Sequence, residues 1–141
     1  YFMKEKAVGD VISQALALQK GKSKDAKKLE GWRQPVGGKN SGNFGMVVME
    51  VCQKYLANDE TITVGDVNAG LDDLAKGEEK KVKVMSKLLD KMSPRQVKWL
   101  VLIIMKELKI GTSEVKILNN LHPDAKDLFD VCCDLRYVCD M

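Results

Sequence analysis

The 141-residue sequence predicts an all-α fold of six to eight helices in one compact domain. Three observations predict it. Apolar residues recur at intervals of three and four through most of the chain, the spacing of one helix face. Two stretches carry strong helix-start chemistry, at Thr63 and at Ser93-Pro94-Arg95-Gln96. No alternating strand pattern survives, since "TITV" at 61–64 is too short to build a sheet.

Val8, Val11, Ile12, Ala15 and Leu18 mark one face of a first helix over about residues 3–19. The charged connection "GKSKDAKK" follows. Asp25 is a candidate cap for a short helix carrying Leu29 and Trp32, with Pro35 as its stop. The glycine-rich run "PVGGKNSGNFG" (35–45) leads into a helix with Phe44, Val47, Val48, Val51, Cys52 and Tyr55 on one side. Thr63 is placed to cap Val64, Val67, Leu71 and Leu74, and Lys80–Met92 repeats the stripe through Val82, Met85, Leu88, Leu89 and Met92.

The sharpest helix start is Ser93, with Pro94 in the first turn and Gln96 able to complete a capping box. That helix is apolar nearly all round at Trp99–Met105, so it should be central. Gly111 is its expected stop, with Lys106 and Lys109 bracketing the last turn. Thr112 or Ser113 then caps a helix through Val115, Leu118 and Leu121, and Asp124 begins a final stripe of Ala125, Leu128, Cys132, Leu135 and Cys139.

Charge is segregated. Lys and Arg number 23 against 20 Asp and Glu, a net charge of only +3. Residues 20–40, however, hold seven basic and two acidic side chains, and residues 91–116 hold six and two. From His122 onward five Asp face Lys126 and Arg136. Such asymmetry favours an acidic partner, although solvated helix faces would also produce it.

Enzymatic chemistry finds little support. With His122 as the sole histidine, no Ser/His/Asp constellation can be assembled, so no catalytic residue is assigned. Cys52, Cys132, Cys133 and Cys139 form no C-x-x-C pair, which leaves no metal site and no disulfide framework. Cys132 and Cys139 read as small core residues in a reducing compartment. "GGKNSG" lacks the ending of a phosphate-binding P-loop and follows no strand. The apolar run Trp99–Met105 would cover only ~10 Å as a helix, too short for a bilayer.

Two loops invite a different reading. Gly42, Asn43 and Gly45 stand at a helix start, where unpartnered amides and the positive dipole end suit a phosphate and glycine allows close approach. Lys39 adds charge nearby. Gly111, Thr112 and Ser113 put a glycine, two hydroxyls and a new helix start within three residues, beside Lys106, Lys109 and Ile110. Amides, hydroxyls and lysines grip sugar–phosphate without reading bases. Ordinary capping would account for the first loop equally well, and for the lysines of the second, but less well for "KIGTS".

"VKWLVLIIMKELKIGTSEVKILNNLHPDA" (97–125) resembles the N-terminal DNA-binding domain of eukaryotic ATP-dependent DNA ligases, as does "SGNFGMVVMEV" (41–51). "VISQALAL", "DAKKLEGWRQP" and "LHPDAKDLF" are most similar to the ligase IV branch. Asn43 departs from the pattern, which more often has Asp there. The resemblance covers essentially the whole chain and implies an all-helical domain fragment (1–141), its own start and the catalytic domains absent. It implies sequence-independent contact with duplex DNA along the minor groove, through Lys39, Gly42, Asn43, Gly45, Lys106, Lys109, Ile110, Gly111, Thr112 and Ser113. Trp99, Leu100, Ile103 and Ile104 are then structural. It further implies a nuclear parent enzyme in non-homologous end joining, using ATP and Mg, with end-joining proteins as partners. The fragment itself would need no cofactor, since no Lys-x-Asp-Gly adenylation motif occurs. The alternatives are a helical protein–protein module of a repair factor, or the same domain of a ligase I- or III-type enzyme.

Overall fold

A computed structural model of the chain describes residues 2–34, 42–58, 60–77, 80–108 and 110–141. Among them are nine helices and no strands. They fall into two compact units, Tyr1–Leu108 and Lys109–Met141.

In the first unit α1 (Glu5–Ala15) packs on α5 (Lys81–Leu89) and on α2 (Lys24–Glu30). α2 packs on α3 (Phe44–Cys52), α3 on α6 (Pro94–Ile104), and α4 (Val64–Lys76) on α5. The α3–α6 pairing is the most extensive. Val47, Val48 and Val51 of α3 and Val97, Leu100, Val101 and Ile104 of α6 are buried, the apolar stripes read from the sequence. The chain start returns to the end of α6, where the Met3 N–H donates to the Ile104 carbonyl at 3.3 Å.

Two capping boxes form, the expected one at Ser93 and another at Thr63, where a cap alone was expected. Thr63 and Asp66 exchange side-chain–backbone hydrogen bonds at 3.0 and 3.1 Å, and Ser93 and Gln96 at 3.1 and 3.4 Å. Buried Ser93 also donates its hydroxyl to Glu60 at 3.0 Å, so one side chain both starts α6 and holds the segment before α4.

Several boundaries differ from expectation. α2 is capped by Ser23, whose hydroxyl accepts from the Ala26 N–H. Asp25 instead lies one residue into the helix, buried and turned inward. α2 ends at Glu30 with Gly31 as its C-cap, and Trp32 follows; Pro35 lies outside the described residues. α1 stops at Ala15, α5 at Leu89 and α6 at Ile104, each short of the stripe that announced it.

Two of these ends, those of α1 and α6, share a device. Ala17, Lys106 and Cys133 are the described non-glycine residues with positive φ, at 55°, 55° and 53°. After α1, the Ala17 N–H donates to the Gln14 carbonyl and Leu18 to Ser13. After α6, Lys106 donates to Ile103 and Glu107 to Leu102. These are Schellman closures built without glycine. Gly111 is therefore not the stop of α6, because Lys106 has already turned the chain.

In the second unit α7 (Glu114–Leu121) packs on α8 (Ala125–Cys132), and α8 on α9 (Leu135–Asp140). Its small core joins Leu118, Ala125 and Val138, with Leu128, Phe129 and Cys132 against them. The sequence shows the 124–139 stripe as one helix. Cys133 breaks it in the left-handed conformation, which yields the ninth helix and restarts the phase. Val138 consequently takes the inward position of α9, and Cys139 is exposed rather than in the core. Cys52 is the fully buried cysteine, and burial pushes its thiol pKa up to about 12.

Candidate nucleic-acid interface

The first corner starts α3. Gly42 has φ +87°, a left-handed conformation that favours glycine, and nothing lies within 4 Å of where a Cβ would stand. Its N–H donates to the Trp32 carbonyl at 2.7 Å, fastening the corner to the end of α2. Asn43 caps α3, and its Oδ1 accepts from the Met46 N–H at 3.2 Å. The neutral Asn at this position thus makes the cap bond that an Asp would make. α3 has no acidic residue in its first turn, so the helix itself supplies no counter-charge to its positive dipole end.

Gly45 does different work from that expected of a glycine in a phosphate loop. It is buried, and a Cβ there would stand 3.4 Å from Lys98 Cγ and from Leu102 Cδ2. Its small size lets α3 approach α6, and only its backbone amide remains at the helix end.

That approach brings in two cations that sequence spacing does not reveal. Lys98 lies against Gly45, with its ammonium 4.8 Å from the ring centroid of Trp99. Arg33 lies over Trp32 at 4.7 Å, and the Trp32 ring meets Phe44, the first residue of α3, edge-on at 5.5 Å. Trp99 was expected to be structural; it is 38% exposed, while Leu100 and Ile104 are buried. Lys98 and Arg33 are more than fifty residues apart in sequence, so only the α2–α3–α6 packing assembles them.

The second corner, in the second unit, starts α7. Gly111 has φ +78° with open space at its Cβ position. Ile110, Thr112 and Ser113 are exposed. Of the two candidate caps it is Ser113 that closes the helix, accepting from the Lys116 N–H at 3.3 Å. Glu114 occupies the first turn and already complements the dipole, so this corner offers a phosphate less field than the first.

Lys106 is exposed, held by its left-handed turn with the ammonium 5.8 Å from the Phe2 ring centroid. Lys39 and Lys109 lie outside the described residues. Among the described residues, no group of three or more His, Cys, Asp or Glu is placed to hold a metal ion, and no helix is long and apolar enough to cross a membrane.

Comparison with known proteins points the same way. The family described as DNA ligase N terminus matches residues 1–122. A protein named putative DNA ligase 4 from Oryza sativa subsp. japonica is 38% identical over 99% of this chain. The DNA ligase 4 of Arabidopsis thaliana is 37% identical and that of Yarrowia lipolytica 38%, each over 99% of the chain. The chain spans 12%, 12% and 15% of the lengths of these three relatives.

Proposed function

Since the chain belongs to the DNA ligase N-terminal family, with DNA ligase 4 proteins among its relatives, we propose that it binds duplex DNA through the sugar–phosphate backbone, independently of sequence. Within a longer parent it positions nicked or broken ends for sealing by an ATP-dependent ligase in non-homologous end joining, in the nucleus. The contacts are the backbone and side chains of Gly42, Asn43 and Gly45 in one corner, where the Gly42 N–H itself is engaged by the Trp32 carbonyl, and of Ile110, Gly111, Thr112 and Ser113 in the other. Lys39, Lys106 and Lys109 add charge, and so do Lys98 and Arg33.

One observation carries this reading. The same construction occurs twice: a left-handed glycine with open space around it, then a side-chain-capped helix N-terminus, at Gly42–Asn43 and at Gly111–Ser113. Each sets helix-start amides, groups that suit a phosphate, beside a glycine whose Cβ position is open.

The chain's share of the reaction is orientation. Held ends meet the adenylating site as an intramolecular partner, which lowers the entropic part of the barrier without any bond chemistry here. ATP and magnesium act in other domains of the parent, because the Lys-x-Asp-Gly motif is not in these 141 residues.

Titration with intact and nicked duplexes at several salt concentrations tests the reading. Neutralising about 3–6 phosphates gives a log–log slope of about −3 to −5. Two unrelated sequences should bind alike. Lys109→Glu should weaken binding to both, and Glu79→Lys should not. A slope near zero, or no binding at low salt, removes the reading. It would favour a helical protein–protein module, for which the exposed apolar side chains Val131, Leu135 and Tyr137 are the supporting observation. A ligase I- or III-type parent would leave the DNA prediction unchanged.

A further inference from the structure

The sequence places five lysines between residues 20 and 28, and the two corners use none of them. The fold sorts them. Lys20 reaches Asp10 at 3.3 Å, and Lys28 pairs with Glu50 of α3. Lys22, Lys24 and Lys27 are exposed, and among the described residues no carboxylate lies within ion-pair distance of them.

The pattern follows from how α2 sits. At 100° per residue, Asp25, Ala26 and Leu29 occupy one side, and all three are buried. The carboxylate on that side is consumed inward: Asp25 accepts from Lys54 at 2.8 Å and from the Tyr55 hydroxyl at 2.6 Å. The opposite side carries Lys24, Lys27 and Lys28 within about one quarter of the helix circumference. Glu30, also exposed, lies to the α1 side of the three lysines, where it lines one cavity with Glu5, Lys6 and Asp10 and a second with Arg33. Lys22 extends the ridge before the helix, and exposed Arg33 extends it beyond.

We infer that this ridge, Lys22, Lys24 and Lys27 running on to Arg33, is a second phosphate-contacting surface that lengthens the footprint of the α3 corner on the duplex. The inference rests on the DNA-binding reading above. Two features favour a duplex as the occupant. Like charges lined up on one short helix repel one another when free, and a regularly spaced polyanion relieves that repulsion. The ridge is also continuous with the corner, because the Gly42 N–H is bonded to the Trp32 carbonyl, next to Arg33. A path from Lys22 through α2 to the N-terminus of α3 therefore carries Lys22, Lys24, Lys27 and Arg33, with Glu30 beside Arg33 on its α1 side. Lysines serve such a path well, being mobile point charges that follow phosphates without fixing a sequence.

The test neutralises the ridge without reversing it. Lys22→Gln/Lys24→Gln/Lys27→Gln in the 141-residue chain is compared with Lys76→Gln/Lys81→Gln/Lys83→Gln, three exposed lysines on α4 and α5 that give the same net charge. Each is titrated with a duplex at about 50 and 200 mM salt, after thermal melting has established that it folds. Loss of three phosphate contacts should make the log–log slope shallower by about 2.7, so the affinity lost between the two salts shrinks about 40-fold relative to the unsubstituted chain. The α4–α5 variant should keep the original slope. Equal changes in both variants would reduce the ridge to bulk charge and overturn the inference, and so would an unchanged slope in the first. Anionic vesicles bound by the unsubstituted chain and released by the first variant, with duplex binding unaltered, would also overturn it. If the unsubstituted chain binds no duplex at low salt, the DNA-binding reading itself has failed, a different result from the others.

Discussion

The Tyr55 hydroxyl donates to Asp25 across 2.6 Å, joining the chain just after α3 to the first turn of α2. Lys54 reaches the other oxygen of the same carboxylate at 2.8 Å. Together they fix the helix that carries the lysine ridge to the helix that carries the first corner. The hydrogen bond from Lys54, then that from Tyr55, holds the Asp25 pKa below its ordinary value of 3.8.

This cluster makes stability pH-dependent with a definite sign. A depressed folded-state pKa means that the ionised form stabilises the fold. The contribution is complete above the unfolded-state value, near about 3.9, and is lost as pH falls through the lower folded value. Asp25→Asn should cost about 1.5 kcal/mol at neutral pH, the low end for a hydrogen bond to a charged group because its partners are solvent-exposed. Melting curves of both proteins from neutral to about pH 2 should converge on acidification. A gap that stays constant over that range would mean the carboxylate charge contributes nothing.

Gly70 faces Leu88 where α4 crosses α5, and a Cβ at Gly70 would stand 2.8 Å from Leu88 Cδ1 and 2.9 Å from Cδ2. Leu88 is buried, so it has little room to yield. Helix propensity favours alanine by about 1 kcal/mol, whereas overpacking costs about 1–3 kcal/mol. Gly70→Ala should therefore destabilise modestly. In a Leu88→Ala background the same change should become stabilising, and a double-mutant cycle measured by denaturant unfolding gives the coupling. Additive effects would show that the two helices do not meet at this glycine.

Ala17 adopts φ 55° at the end of α1, a conformation that strains any residue with a Cβ. Ala17→Gly should raise stability by about 1 kcal/mol, read from the denaturant midpoint. A loss of stability would mean that the α1 closure does not take the left-handed form.

Lys98 offers the cleanest test of the first corner, because it is placed there by the burial of Gly45 against α6. Lys98→Gln should weaken binding to unrelated duplexes alike and make the salt slope shallower by about 0.9. Lys83→Gln, on α5, should leave both unchanged. If the two variants behave identically, the contact between α3 and α6 has no bearing on DNA.

What was legible in the sequence was chemistry that acts over a few residues. Thr63 announced its cap and Ser93 its capping box, because donor and acceptor are three positions apart. The stripes of α3 and α6 announced their buried faces for the same reason. Helix ends were less legible. Glycine and proline were the expected stops, but α1, α6 and α8 are closed just past their last residues by left-handed Ala17, Lys106 and Cys133, residue types that do not announce such a turn. Asp25 resembled a cap, and its partners Lys54 and Tyr55 lie some thirty residues away, beyond any local signal. The candidate site divides in the same way. Gly42, Asn43, Gly111 and Ser113 stood out as loop chemistry. The packing job of Gly45 and the arrival of Arg33 and Lys98 depend on helix pairing.

The most direct measurement is an amide NMR titration of the 141-residue chain with a short duplex, repeated with a second, unrelated sequence. The account predicts that the amides of Gly42, Asn43 and Gly45 and those of Gly111, Thr112 and Ser113 shift along one common isotherm, with the same midpoint for both sequences. Shifts confined to α4 and α5, or an isotherm that differs between the sequences, would contradict it.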